Sequence, residues 1–409
     1  MRSAPDPLGW AGYPEQLARA RKNTGHAESV TYGRRRFGET DAMVIEFDFR
    51  FLGGSVGGGT GDVLEQAFLE AGDLPVVSLI ATGGSRMQEG MVSLRQLQRI
   101  AALCARQRGP RVSVLRDPTT GGLWASLGAS ADVVLAVPGA QVGFAGSRVR
   151  PEDGPEYTAE GQFAAGTVDA VVPQGELEDR LTALLALLTG SSSQPAEVPR
   201  ALGDLTLPDS GWTAVTNARK PERPRAKAYL DDHFETRFPL GRNAGVLCGL
   251  GRRGGRTIAY AAQDGTATTP AGFRAAARLI RLAERRNLPV LTFVDTPGAA
   301  NDRAAEREGV GAAIAELFTT VAAARVPITT LVIGEGGSGG ALALAAPDRT
   351  WISPNAYFSV IAPELAASIL KRDDVPALAD QLRLRPQDLV ELGVVSGIAQ
   401  PAALPLQAT

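Results

Sequence analysis

Cysteine and histidine are nearly missing from this chain of 409 residues, which holds two of each. Cys104 and Cys248 each lie in an apolar stretch, so they supply neither a disulfide framework nor a CxxC zinc pair and read as core thiols. His26 and His233 are too few for a histidine–carboxylate metal cluster, so no metal is expected. With only two histidines, neither near a repeated glycine turn, a Ser-His-Asp hydrolase is not expected. Excess charge of one sign is lacking too. With 42 basic and 44 acidic residues the chain has no broad footprint for nucleic acid. Long apolar runs are absent, including from the opening MRSAPDPLGWAGYPEQ, so neither a signal peptide nor a membrane span is expected and the location expected is cytoplasmic.

Glycine is abundant instead. The 47 glycines cluster at 53–61, 83–84, 121–122 and 336–340. Clusters at the ends of apolar strands mark places where backbone approaches a ligand or takes positive φ. At 44% hydrophobic content the chain can bury two ordinary cores.

The sequence repeats itself. LPVVSLIATGG (74–84) answers LPVLTFVDTPG (288–298), and each precedes a stretch suited to a helix, 87–108 and 304–325. RVSVLRDPTTGG (111–122) answers VPITTLVIGEGGSGG (326–340), each running into a small-residue helix start, and ADVVLAVPGAQVGFAG (131–146) answers 347–364. Five matched elements in one order indicate a duplication. Strands alternating with helices indicate α/β crossovers. The Ser- and Pro-rich stretch around 190–200 reads as a linker, which gives domains at 1–190 and 206–409 with a linker at 191–205.

A strand that ends in two glycines and feeds a helix directly presents free N–H groups at a positive dipole end. Such groups can hold an oxyanion that forms only during reaction. Thr120-Gly121-Gly122 and Ser338-Gly339-Gly340-Ala341 are expected at equivalent places in the two repeats. Tight helix–sheet packing is the alternative for either pair alone; duplication favours function. No GxxxxGK[ST] phosphate loop occurs, and Gly53–Gly59 reads as a closely approached loop able to meet ligand phosphates.

ATGGSRMQEGMVSL (81–94), VSVLRDPTTGG (112–122), VGFAGSRV (142–149) and YPEQLARARKNTG (13–25) closely resemble the β subunit of bacterial acetyl-CoA carboxylase carboxyltransferase. FVDTPGA (293–299), VIGEGGSGGALAL (332–344), APELAASIL (362–370) and the set Trp212, Arg219, Arg223, Pro224 and Tyr229 resemble its α subunit. The resemblance covers nearly the whole chain. It implies two tandem crotonase-like (ClpP/crotonase) ββα-superhelix domains, with an active site between halves in an oligomer. It also implies a carboxyltransferase that moves carboxylate from carboxybiotin, on a biotin carboxyl carrier protein served by biotin carboxylase, to the α-carbon of a short acyl-CoA. Carried over, Gly121 and Gly122 hold the thioester oxygen, and Gly339, Gly340 and Ala341 hold the biotin oxygen. Gly83, Gly84, Gly146 and Gly298 belong to the substrate-binding turns. Arg86 and Arg148 are candidates for coenzyme A contacts, with a structural ion pair, for Arg86 with Glu89, as the equal alternative.

The pattern breaks in four places. The β subunit's four-cysteine zinc ribbon is missing, the α subunit's His/Lys strand is replaced by Ala262-Gln263-Asp264-Gly265, the turn after Gly298 reads Ala299-Ala300-Asn301-Asp302-Arg303, and the stretch after Val149 is short and polar. These losses leave open a biotin-independent decarboxylase of malonyl-type thioesters, which passes through the same enolate.

Overall fold

The computed structural model describes residues 6–401. The outer ends of the expected domains, 1–5 and 402–409, lie outside the described residues. The chain forms two compact units, Met1–Thr189 and Gly190–Thr409.

The first unit is built on strands β1 (Val30–Phe37), β2 (Thr40–Phe47), β3 (Val76–Thr82), β4 (Arg111–Thr120), β5 (Val133–Ala136), β6 (Val142–Gly143) and β7 (Ala170–Val171). Their order is β1-β2-β3-β4-β5-β7, with β6 beside the end of β4. The second unit contains β8 (Thr236–Leu240), β9 (Val246–Arg253), β10 (Arg256–Gln263), β11 (Val290–Thr296), β12 (Ile328–Gly337), β13 (Thr350–Ile352), β14 (Tyr357–Ser359) and β15 (Gly397–Ile398). Its order is β8-β9-β10-β11-β12-β13-β15, with β14 beside the end of β12. The two sheets share one plan: an antiparallel hairpin, then parallel strands reached by crossovers, with β8 added in the second.

Local sequence explains the pieces. β3 and β11 read VVSLIAT and VLTFVDT and are buried at every position, as parallel strands covered on both faces must be. The β9–β10 hairpin turns on Gly254-Gly255, both at positive φ, as a two-residue turn of this hand requires. Helix Gly90–Arg106 buries Ser93, Gln96, Ile100 and Cys104, a single stripe at helical spacing. Helix Pro270–Arg286 starts with a Thr269 cap that accepts from the Gly272 N–H and places Pro270 in its first turn. It ends on Asn287 in the left-handed region, with Arg285 and Arg286 at the negative dipole end.

The stretch expected as a linker packs onto the second unit. Ala196 and Ala201 are buried in its core, and the Ala196 carbonyl accepts from Thr329 Oγ1 at 3.0 Å. The Leu202 N–H donates to Tyr229 Oη at 3.1 Å. Small apolar residues between the Ser and Pro positions make this possible. No helix among the described residues is long and apolar enough to cross a membrane.

Candidate functional site

In each unit a glycine turn closes one strand and a glycine-containing helical turn closes its neighbour. The hydrogen bonds repeat atom for atom. Gly84 N–H donates to Thr82 Oγ1 at 3.0 Å, and Gly298 N–H donates to Thr296 Oγ1 at 3.2 Å. Each threonine hydroxyl in turn donates at 2.8 Å to a carbonyl, of Gly54 in the first unit and Thr266 in the second. Val56 N–H reaches the Gly84 carbonyl and Arg86 N–H returns to Val56, both at 2.9 Å. Thr268 N–H reaches Gly298 at 3.0 Å and Ala300 N–H returns to Thr268 at 2.9 Å. Gly84 therefore corresponds to Gly298, and Ser85 to Ala299.

The neighbouring strands fix the rest of the register. Thr82 pairs with Thr119, and Thr296 pairs with Gly336. Thr120 thus matches Gly337, Gly121 matches Ser338, and Gly122 matches Gly339. This shifts the expected equivalence of the double glycines by one residue. The position that must be left-handed is Gly121 (φ 77°) in one unit and Ser338 (φ 56°) in the other. A serine there costs roughly 1 kcal/mol of backbone strain.

The turns touch. A Cβ on Gly121 would lie 2.8 Å from Gly84 Cα, and one on Gly340 would lie 2.3 Å from the Ala299 nitrogen. Gly146 stands over Thr120, with its would-be Cβ at 3.5 Å from Thr120 Oγ1. At Gly121 and Gly340 only a hydrogen side chain allows the approach, whereas the Gly146 contact is an ordinary one.

The free N–H groups differ from those expected. Gly121 N–H donates to the carbonyls of Gly143 and Phe144, at 3.2 and 3.1 Å, so Gly121 provides conformation and closeness instead of a donor. Gly83 N–H goes to the Gly53 carbonyl at 2.8 Å, and Gly84 N–H to Thr82. Gly122 opens the helical turn after β4, where no intrahelical acceptor exists. Helix Ser338–Leu342 leaves the N–H groups of Ser338, Gly339 and Gly340 in that condition, whereas Ala341 stands at the fourth position, where intrahelical bonding begins. The N–H groups of Ser85 and Ala299 take no part in the bridges their neighbours make to Val56 and Thr268. Reading side chains misses these two. Laying TGG over TPG in the repeat places both directly after the turn.

Arg86 is not at a surface that ligand could reach. It is 1% exposed, pairs with Glu28 (2.8 Å) and Glu89 (3.1 Å), and donates to the Ser55 carbonyl at 2.9 Å. Burial opposes its charge, but the hydrogen bonds it donates to Glu28 and that carboxylate's attraction hold the guanidinium above its ordinary value. The coenzyme A contact expected of Arg86 thus gives way to the ion pair. The phosphate role expected of Gly53–Gly59 is corrected with it. A Cβ on Gly57 would lie 2.2 Å from Glu89 Oε1, and one on Gly59 would lie 2.6 Å from Glu28 Oε1, so these glycines make room for the buried ions. The anion at the N-terminus of helix Gly58–Ala71 is the chain's own Glu89, which accepts from Gly58 N–H at 2.6 Å. Arg148 is exposed and has no ion-pair partner among the described residues.

The second unit braces its turns with charge. Asp295 is fully buried, and its Oδ1 accepts from Arg223 Nη2 at 2.6 Å and from Glu335 N–H at 3.1 Å. The Glu335 bond ties β11 to β12 where the register slips after Val294, and Arg223 holds the carboxylate from outside the sheet. Burial raises the Asp295 carboxyl above its usual range, with Arg223 opposing. Glu335 also accepts from Arg219 Nε at 2.8 Å and from the Tyr357 hydroxyl at 2.9 Å. In the first unit the same slip is made with Ala81 in place of Asp295 and with the cis peptide Asp117–Pro118 beside it.

A cavity of about 550 Å³ in the second unit is lined by Arg200, Asp232, His233, Arg253 and Trp351 among others and includes none of the turn glycines. Burial lowers the pKa of His233 to about 4, which keeps its imidazole neutral.

Residues 12–172 match the carboxyl transferase domain family, and 206–404 match the acetyl co-enzyme A carboxylase carboxyltransferase-like family. The acetyl-coenzyme A carboxylase carboxyl transferase subunits beta/alpha of Salinispora tropica are 40% identical over 97% of this chain and 78% of that protein. A probable biotin-dependent acyl-coenzyme A carboxylase beta3 subunit of Mycobacterium tuberculosis is 33% identical over 94% and 82%. The fold matches transcarboxylase 12S with a TM-score of 0.78 at 21% identity, over 92% of this chain and 80% of that one. Both sheets therefore have the crotonase-like architecture that the sequence implied, and the chain belongs to the carboxyltransferase family of the acyl-CoA carboxylases.

Proposed function

We propose that this chain moves carboxylate between carboxybiotin, presented by a biotin carboxyl carrier protein, and the α-carbon of a short acyl-CoA. The observation that carries the reading is the twofold occurrence of one device, a threonine-anchored glycine turn packed on a glycine-containing helical turn. In the first unit Gly122 and Ser85 N–H groups hold the thioester oxygen as it gains charge in the enolate. Gly84 and Gly121 keep that place clear of side chains, and Gly146 stands beside it over Thr120. In the second unit the Gly339 and Gly340 N–H groups, with that of Ala299, hold the ureido oxygen of biotin, and Gly298 sets the turn. Carboxybiotin supplies the carboxyl group and, once it has lost it, a base for the α-proton. The chain accordingly needs no histidine there.

Preorganised amides favour the charged state over the neutral one, which is what lowers a barrier. Exposed and unpaired, Arg148 is the basic side chain suited to a coenzyme A phosphate. A biotin carboxylase completes the reaction sequence, and the working form is a homo-oligomer in the cytoplasm. The relatives favour carboxyl transfer over biotin-independent decarboxylation.

The test incubates the purified chain with malonyl-CoA, with and without free biotin, and follows loss of carboxylate. Turnover that requires biotin is expected. Equal turnover without biotin would replace this reading with the decarboxylase.

A further inference from the structure

We propose that Gln263 is a positioning residue for carboxyl transfer, pinning the glycine helix of the second unit in the direction its N–H groups need. The proposal rests on the reading of that helix as the holder of the biotin oxygen.

Gln263 ends β10 and is 0% exposed. Its Nε2 donates to the Gly340 carbonyl at 3.0 Å and to Thr268 Oγ1 at 3.1 Å. Its Oε1 is buried with no hydrogen-bond partner. Turning the amide over would set one acceptor against another at Gly340, so the orientation is fixed by chemistry.

The Gly340 carbonyl needs an outside donor. Leu344 N–H, its α-helical partner, turns instead to Ala341 at 3.2 Å. Helix Ser338–Leu342 has five residues, too short to hold itself. Peptide planarity ties the Gly340 carbonyl to the Ala341 N–H across the 340–341 bond, so holding that plane braces the end of the short turn that begins with the Gly339 and Gly340 N–H groups.

The first unit shows why such a pin is needed. By register Gly340 corresponds to Leu123, which is fully buried in an apolar core and anchors its turn by its own side chain. Gly340 has no side chain to bury. Gln263 corresponds to Phe47, an apolar core residue that makes no such bond. Where the helix start has glycine in place of that anchor, a polar side chain from β10, two strands away in the sheet, takes over.

The experiment uses the full chain with Gln263→Met, which keeps volume and removes the donor, and Gln263→Glu as a second variant. Biotin-dependent loss of carboxylate from malonyl-CoA is measured as kcat and KM for each substrate. A fall in kcat of about 10- to 100-fold is expected, with KM for malonyl-CoA within about twofold of wild type, because only the biotin-side turn is displaced. Folded variants with wild-type kcat, or with a malonyl-CoA KM that rises in step, would overturn the proposal. If Gln263→Met does not fold, Gln263→Glu is judged by the same criteria. Failure of both to fold overturns it also, by making Gln263 a fold determinant only. A wild-type chain without biotin-dependent turnover is a separate result and removes the functional reading beneath the proposal.

Discussion

Gly121 and Ser338 hold the same place in the two sheets, each left-handed, each between a parallel strand and the first turn of a helix. The first is walled in by Gly84 and the second is exposed. Identical backbone geometry thus has different tolerance. Gly121→Ala meets both a left-handed penalty and a Cβ at 2.8 Å from backbone, and a loss of roughly 2 kcal/mol or more is expected in urea unfolding. Ser338→Gly relieves strain and should leave stability unchanged or slightly higher. Equal losses for the two would contradict the register.

Gly339 gives a cleaner probe of the oxyanion reading. A Cβ there meets nothing within 4 Å, so Gly339→Val is expected to fold as the wild type does. Its side chain stands over the start of the helix and crowds the proposed biotin oxygen. Biotin-dependent turnover should fall by about 100-fold or more, the scale of a lost oxyanion donor. A folded Gly339→Val enzyme with full turnover would place the chemistry elsewhere.

Arg86 should behave as a structural ion. Arg86→Ala leaves Glu28 and Glu89 buried without their counter-charge, and breaking such a group costs about 3–5 kcal/mol. The expected outcome is a strongly lowered unfolding midpoint. A stable Arg86→Ala protein with only a raised KM for acyl-CoA would return Arg86 to the substrate.

His233 predicts an acid limb in stability. Its pKa is about 4 folded against 6.5 as the ordinary value, so between these pH values the unfolded chain binds the proton and the folded chain does not. Stability from this group is full above about pH 6.5 and falls as pH drops to about 4, by roughly 3 kcal/mol in all. In His233→Leu the slope over this window should flatten by that amount in unfolding measured against pH. An unchanged slope would show that His233 is protonated in the folded protein.

The duplication, the strand ends and the glycine turns were legible because each is local: an apolar run, then residues that only tight or left-handed backbone requires. The α/β class and family followed from those motifs. Other features were invisible because they join distant segments. Gln263 and Gly340 lie 77 residues apart, and Arg86 and Glu28 lie 58 apart. The register that pairs Gly121 with Ser338 needed both sheets, since sequence alone aligned glycine with glycine.

By itself the amino-acid sequence determined where the backbone would be bare, for glycine is the residue that lets main chain approach main chain. Tertiary structure decided which of those bare N–H groups remain available. Each amide has one hydrogen to give, and at Gly83, Gly84 and Gly121 the fold had already claimed it.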